Sequence, residues 1–374
     1  MLYILPLEPL PERYTIQWRR WFAQALAARK IDHVFIDGAS LTSSVESGSV
    51  LDAEGTNFYK FSQLQAVCRL FKDGMVKDGD KFFTFDLWMP GLESIPYMAH
   101  LENKKIELYG FLHAGSYIDG DFAQPMSEWA NHFETGWFRM CKKVFVGTNY
   151  HKQEFTTKRI TLKFGFSRAS GFFRAPTPEL EKLVVTGNPF NVAEIRSSDW
   201  VPPYKRKNVI VFPHRWDTEK RPDLFMFIMA QLWKRRQDFE VLVTTSRPMF
   251  RSNSPDLMAL IVQAPFPVRI ASGISKETYY QLLSTAKVFV STAIEETFGY
   301  CLVESVLLGC TPVVPDGLSY PEILRGDKRY LMHTPAQYVD AIDHFLDSPC
   351  PCVEYVQRYN NSVGNILTEM GYKL

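Results

Sequence analysis

Cysteine is scarce in this sequence, with only six residues (Cys68, Cys141, Cys301, Cys310, Cys350 and Cys352), and the one close pair is a Cys-Pro-Cys with no second pair or histidine cluster to match it. Such spacing supports neither a disulfide framework nor a structural zinc site, and reads as reduced thiols. Net charge is also nearly absent. Forty-two Lys and Arg against 41 Asp and Glu leave +1, which excludes a uniformly basic nucleic-acid coat and an acidic tail, although balanced totals can conceal local patches. No apolar run approaches the roughly 18–20 residues of a membrane-spanning helix. The start, Met1-Leu2-Tyr3-Ile4-Leu5-Pro6, lacks the basic segment and full apolar core of a signal peptide. The expectation is a cytoplasmic protein that is neither secreted nor integral to a membrane. Fixed-period repeats and low-complexity segments are missing as well.

What is present is apolar mass. The 374 residues are 46% hydrophobic and include 8 Trp and 28 Phe, far too apolar for a disordered chain. At roughly 100–200 residues per domain the length predicts about two domains. Short, continuous apolar runs alternate with longer helical patterns, as expected for strands covered on both faces. In the first half the strands fall at Leu2–Leu5, His33–Ile36, Lys81–Phe85, Ile106–Leu112 and Lys143–Val146, with helices at Thr15–Lys30, Phe61–Lys72 and Glu128–Cys141. In the second half strands at Asn208–Phe212, Phe239–Thr244, Val268–Ala271, Val288–Ser291 and Thr311–Val314 alternate with helices at Pro222–Arg236, Lys276–Thr285 and Phe298–Leu308. This is an α/β pattern of two doubly wound, Rossmann-like domains. Turn residues and prolines from Gly187 to Tyr204 interrupt both periodicities. The expected division is 1–189, 190–345 and a helical tail, 346–374, packing back on the first domain, with a cleft between the two domains.

The most informative stretch runs from Val288 to Glu304. A buried strand delivers a carboxylate, a Gly-containing turn follows, and the next helix carries a second carboxylate in its first turns. Carboxylates accept hydrogen bonds from the vicinal hydroxyls of a ribose or hexose, while helix N-terminal amides favour a phosphate, so the arrangement suits a sugar nucleotide. A lone Glu at a helix N-terminus is more ordinarily a cap or dipole partner.

Glu296 and Glu304, with seven residues between them and Phe298-Gly299 inside, resemble the E-x7-E signature of retaining glycosyltransferases of family GT4, whose fold is GT-B. Gly309, Pro312-Val313-Val314 and Pro321-Glu322-Ile323 are similar to the order that follows the motif. His214-Arg215-Trp216-Asp217-Thr218-Glu219-Lys220, just after a strand, resembles the family's G-R-L-x-x-E-K segment. The resemblance covers about residues 208–325. It departs from the pattern at Thr297, often Gly, at His214, in place of the Gly before Arg215, and at Gly317-Leu318-Ser319-Tyr320. It implies two Rossmann-like domains facing an interdomain cleft and a nucleotide-sugar donor, UDP-linked, with no other cofactor. It further implies that Glu304 holds the ribose, that Glu296 contacts donor-sugar hydroxyls, and that Thr297, Phe298 and Gly299 lie against the sugar. Arg215 and Lys220 would neutralise the departing diphosphate, so that no divalent metal is needed. The one Asp-x-Asp spacing, Asp119-Gly120-Asp121, lies in the other half.

On the acceptor side, His113-Ala114-Gly115-Ser116-Tyr117 follows an apolar strand, and His113 resembles the cleft histidine of such enzymes; the ordinary alternative is a loop histidine capping backbone. Ser116 and Tyr117 are candidate acceptor ligands in the same loop. The proline-rich first turn, Pro6 to Tyr14, stiffens the chain around Glu8 and Arg13, which join them as candidates. From Phe155 to Pro176 the chain carries Lys158, Arg159, Lys163, Arg168 and Arg174 and no acid, interleaved with Phe164, Phe166, Phe172 and Phe173. Cations neutralise phosphates and aromatic faces stack on bases, so Lys163, Arg168, Phe172 and Arg174 form a candidate nucleic-acid loop. The alternative is a basic loop whose phenylalanines pack inward. A basic helix, Tyr14 to Lys30, is read as a core helix with solvated arginines. The opening, Leu5-Pro6-Leu7-Glu8-Pro9-Leu10-Pro11-Glu12-Arg13-Tyr14 with Trp18 and Trp21, is similar to glycosyltransferases of bacterial viruses, some of which modify DNA bases, which implies a hydroxymethylpyrimidine in DNA as acceptor and the host cytoplasm as location. The rival readings are a transferase acting on lipid-linked or cell-surface saccharides, and a catalytically silent sugar-nucleotide binder.

Overall fold

The computed structural model describes residues 1–10, 14–41, 53–121, 123–161, 177–196, 201–245 and 250–373. Two units divide the chain: Met1–Phe190 with Asn361–Leu374, and Asn191–Asn360.

The first unit is built on a six-stranded sheet, β1 (Leu2–Leu5), β2 (His33–Phe35), β3 (Lys81–Thr84), β4 (Glu107–Phe111), β5 (Lys143–Val146) and β6 (Leu183–Val185), in the order β2-β1-β3-β4-β5-β6. All pairs are parallel. Its helices are α1 (Ile16–Ala28), α2 (Ala53–Lys72), α3 (Ser94–Leu101), α4 (Ser127–Met140), α5 (Asn149–Phe155) and the short α6 (Thr177–Glu181). One sheet face is aromatic: Trp18 and Phe22 of α1 pack edge-on or tilted against Phe83, Phe85 and Phe111. On the other, Tyr3, Phe82, Leu108 and Val144 meet Val67 and Phe71 of α2, Ile95 of α3 and Trp137 and Phe138 of α4. Each such side chain contributes about 1.5–3 kcal/mol of burial, which is why continuous apolar strands and one-faced helices assemble this way.

The second unit holds α7 (Val192–Ile195), β7 (Val209–Phe212), α8 (Pro222–Trp233), β8 (Glu240–Thr245), α9 (Pro255–Val262), β9 (Val268–Ser272), α10 (Lys276–Leu283), β10 (Val288–Val290), α11 (Tyr300–Leu307), β11 (Thr311–Pro315), α12 (Tyr320–Ile323), β12 (Leu331–Met332), α13 (Pro335–Asp347) and α14 (Val353–Val356). Its parallel strands run β12-β11-β10-β7-β8-β9. The last helix, α15 (Ser362–Glu369), belongs to the first unit, where Lys143 pairs with Glu369 at 2.6 Å.

These strand orders matter for function. Parallel sheets bind ligands beyond the strands' carboxyl ends, where the winding reverses. In the first unit that point lies between β1 and β3, and in the second between β7 and β10.

Several elements differ from the sequence expectation. Helix α2 begins at Ala53 rather than Phe61, because burial of Tyr59 and pairing of Lys60 with Asp86 override the weak helix propensity of Gly55, Thr56 and Asn57. Helix α11 begins only at Tyr300, since Gly299 at φ +84° occupies its N-cap. The edge strands β6 and β12 and the helices α3 and α9 carry too few periodic residues to be read locally.

Candidate functional site

In the second unit the loop after β7 is anchored by Trp216, buried to 1% exposure, whose indole N–H donates to the Leu257 carbonyl. A 3-10 turn, Thr218–Lys220, follows, and Arg221 in the left-handed region (φ +51°) starts α8 with Pro222 at its first position. The Thr292 hydroxyl, just past β10, donates to the Lys220 and Arg221 carbonyls, and the Ile294 N–H donates to the Glu219 carbonyl. Two loops on either side of the winding reversal are thereby laced together.

Lys220 lies between them. Its ammonium donates to the Glu295 carbonyl at 2.7 Å and stands 3.4 Å from Glu296 Oε2 and 3.6 Å from Glu295 Oε2. Burial works against its charge, but the Glu296 and Glu295 carboxylates outweigh it and hold the amine above its ordinary range. Arg215, one-third exposed, pairs with Glu219 at 2.7 Å and Asp217 at 3.9 Å. Glu296 Oε1 accepts the Gly299 N–H at 2.9 Å, so this carboxylate also caps the turn into α11. Glu304, buried within α11, accepts from Lys276 Nζ at 2.7 Å and the Tyr280 hydroxyl at 3.1 Å. Phe298 packs its ring against Tyr300 and Tyr359, leaving its backbone beside Thr297 and Gly299. The structure therefore places Arg215, Lys220 and Glu296 in the loops that follow β7 and β10, and Glu304 in α11 against Lys276 and Tyr280 of α10.

Two participants escaped the motif, and a third, His214, stands in it only as a departure. Glu295 precedes the signature and reads as an ordinary loop acid. Lys276 is 28 positions from the Glu304 it pairs with. His214, buried among Phe212 and Phe289, has no partner for Nε2 among the described residues, and burial, then the Lys220 and Arg215 charges, push its pKa well below the usual range, so it is neutral.

In the first unit, His113 follows β4. Its Nε2 faces the Phe85 carbonyl at 2.6 Å, and since a carbonyl only accepts, Nε2 carries the proton and the Tyr14 hydroxyl pairs with Nδ1 at 2.8 Å. Asp86, just past β3, pairs with Lys60 at 2.9 Å. Burial opposes its charge, yet Lys60 and His113 hold it below the ordinary carboxylate range. Glu8, after β1, is buried and accepts from the Thr56 hydroxyl at 2.8 Å.

Ser116 and Tyr117, expected to face an acceptor, are instead buried in a polar network. Glu134 accepts from the Ser116 N–H (2.6 Å) and hydroxyl (3.0 Å), the Trp88 indole (2.9 Å) and Arg159 (2.6 Å); Tyr117 pairs with His151. The reason is that α4 and the helix after α5 bring a buried carboxylate and a guanidinium under this loop, and its hydroxyls satisfy them. Arg13, Lys163, Arg168, Phe172 and Arg174 lie outside the described residues. Asp121 accepts the Ala123 N–H and Asp119 pairs with Lys158; among the described residues no three His, Cys, Asp or Glu side chains gather as a metal site, and no helix is long and apolar enough to cross a membrane.

Residues 196–362 match the family model described as Glycosyl transferases group 1. Over 122 residues the chain is 30% identical to tRNA-queuosine alpha-mannosyltransferase of Drosophila melanogaster, a match spanning 32% of each protein, so it reaches about a third of that relative's length. Among solved structures, sucrose-phosphate synthase from Thermosynechococcus elongatus is similar with a TM-score of 0.66 at 13% identity, covering 99% of this chain and 96% of that one. HepE of Anabaena, in complex with UDP and glucose, is similar with a TM-score of 0.57 at 13% identity, covering 99% and 94%. The fold of two parallel six-stranded units is GT-B.

Proposed function

We propose that this chain, whose residues 196–362 match the group 1 glycosyltransferase model, moves a sugar from a nucleotide donor, UDP-linked, to a hydroxyl on a modified nucleobase, with retention at the anomeric carbon. The observation that carries the reading is that Lys220, beside Arg215, meets Glu296 in the loops flanking the winding reversal of the second sheet, with Glu304 in the helix that follows. On this reading Glu304 accepts the ribose hydroxyls and Glu296 a donor-sugar hydroxyl, while Thr297 and the backbone of Phe298 and Gly299 border the sugar. As the bond from the anomeric carbon to the diphosphate oxygen breaks, negative charge builds on the leaving group. Arg215 and Lys220 are already oriented there by their carboxylate partners, so little reorganisation is needed at that moment. His113, fixed at both ring nitrogens, and Asp86 shape the acceptor half in the first unit.

The acceptor is the hydroxymethyl group of a modified pyrimidine in DNA, a reading supported by the acid-free aromatic and basic stretch 155–176. A second reading, a tRNA nucleoside, is favoured by the name of the Drosophila relative. The test is intact mass of duplexes containing hydroxymethylcytosine or hydroxymethyluracil, of an unmodified duplex, and of queuosine-containing tRNA, after incubation with UDP- and GDP-linked sugars. A sugar-sized gain on a modified duplex alone supports the DNA reading, and one on tRNA alone replaces it with the second. Donor turnover with no gain on any nucleic acid overturns both and moves the acceptor to saccharides.

A further inference from the structure

The donor site of the second unit carries an excess of negative charge that its proposed ligand would worsen. Arg215 and Lys220 are the two cations, and around them stand four carboxylates within ion-pair distance: Asp217, Glu219, Glu295 and Glu296. A donor diphosphate brings two more negative charges to the same cations. Coulomb repulsion at these separations is strong in a partly buried site, so something must neutralise a carboxylate or move it away.

The four acids are not equivalent. Asp217 accepts the Asn253 N–H and Glu296 accepts the Gly299 N–H, while Glu219, whose buried Oε1 has no hydrogen-bond partner among the described residues, stands 2.7 Å from the Arg215 guanidinium. Two of the three thus have a hydrogen-bond donor of their own, and the third a guanidinium in close contact. The Glu295 carboxylate has no hydrogen-bond donor among the described residues; its nearest cation is Lys220 at 3.6 Å, whose ammonium instead donates to the Glu295 carbonyl. Its side chain retains 14% exposure, against 9% for Lys220, so solvent reaches it. The charged groups around it are Lys220, Arg215 and Glu219 from the loop after β7, and Glu296 from its own loop; His214, beside Lys220 and Arg215, is neutral.

We propose that Glu295 is a proton-carrying ligand of the donor diphosphate: a carboxylate before the donor binds, and a carboxylic acid donating a hydrogen bond to a phosphate oxygen once it has bound. The proton comes from solvent and no bond other than O–H forms. The inference rests on the donor-site reading given above. Burial already raises the Glu295 carboxyl, and Lys220 only partly offsets it, so the acid is poised for uptake. The sign follows. A second negative neighbour raises the carboxyl further, so the bound state holds the proton over a range of pH in which the free state does not. Donor affinity is then greatest at low pH and weakens by up to about tenfold per pH unit across that range.

The test is calorimetric titration of the full chain with UDP-glucose and with GDP-mannose, whose doubly esterified diphosphates do not themselves titrate between pH 5.5 and 8.5. The expected result is weakening affinity with rising pH and, in two buffers of different ionisation enthalpy, net uptake of close to one proton. Glu295→Gln keeps the size and supplies a permanent donor, so it is expected to bind with flat pH dependence and more tightly than the parent at pH 8.5. A pH-independent affinity in the parent chain, or an unchanged slope in Glu295→Gln, overturns the proposal while leaving the donor site standing. Absence of saturable binding of either nucleotide sugar at pH 5.5 overturns the donor-site reading and this inference with it.

Discussion

Glu134→Ala tests whether the loop carrying His113 is held from beneath. Glu134 is 1% exposed and accepts four hydrogen bonds, from the Ser116 N–H and hydroxyl, the Trp88 indole and the Arg159 guanidinium. Truncation leaves the 8% exposed Arg159 charge without its carboxylate. Arg159 keeps its bonds to the Ser116 hydroxyl and the Lys158 carbonyl and its place over the Tyr117 ring, none of which offsets a charge. Breaking one side of a buried ion pair costs about 3–5 kcal/mol, a large share of the roughly 5–15 kcal/mol that stabilises a whole domain. Adding Arg159→Met to Glu134→Leu removes the stranded charge, but the Ser116 and Trp88 N–H groups remain unpaired at about 1–3 kcal/mol each, so recovery is only partial. Hydrogen exchange in increasing urea, read on peptides spanning 107–121, reports the first unit by itself. The expected result is a loss of protection there equivalent to about 3–5 kcal/mol, with peptides of the second unit unmoved. A loss below about 1 kcal/mol would refute the assignment of this pair as the loop's support.

The other expectations concern chemistry, protonation and frame. Lys220→Ala and Glu296→Gln each lower turnover by roughly 10²–10³-fold with an unchanged circular dichroism spectrum; near-native turnover in either removes it from the site. Buried His151 is pushed down to about 3 by desolvation, with His113 adding to it. Its folded value lies below the unfolded value of about 6.5, so the stability it contributes is complete above that pH and falls as pH drops; at pH 4 the loss is about 3 kcal/mol, and His151→Gln flattens the acid limb of urea midpoints. Arg206, 5% exposed, donates to the Val201, Ala286 and Leu308 carbonyls. Arg206→Met orphans buried acceptors and lowers the second unit's stability by about 3 kcal/mol or more, seen as a lower Tm, and Arg206→Lys does not restore it because one ammonium cannot span all three.

Much of this architecture is legible locally. Val209–Phe212 and Val288–Val290 are continuous apolar runs, and Arg215, Lys220, Glu296 and Glu304 lie in the segments that follow such strands, so a parallel sheet necessarily delivers them to one edge. What resisted reading depends on contacts distant in sequence. Ser116 and Tyr117 look like loop groups awaiting a ligand, but Arg159 arrives 43 positions later and recruits the Ser116 hydroxyl. Gly115 is needed for the same reason: a Cβ there would lie 2.5 Å from Glu134 Oε1. Glu295 differs from Glu296 only in what it touches. No periodicity distinguishes two adjacent acids of which one caps a turn through the Gly299 N–H and the other has no donor.

The two units respond to protons in opposite senses. In the first, acid is harmful: His151 must stay neutral against Tyr117, and each unit of pH below about 6.5 removes about 1.4 kcal/mol of stability until its own low pKa is reached. In the second, acid is helpful, because the carboxylate excess around Lys220 relaxes when Glu295 takes a proton. Activity at limiting donor is therefore bounded on both sides, and the two limbs have separate owners. Glu295→Gln is expected to extend the alkaline limb and leave the acid limb in place, while His151→Gln extends only the acid limb. A profile in which either substitution moves both limbs together would mean that one ionisation governs the whole curve, and the division of labour between the units argued here would fail.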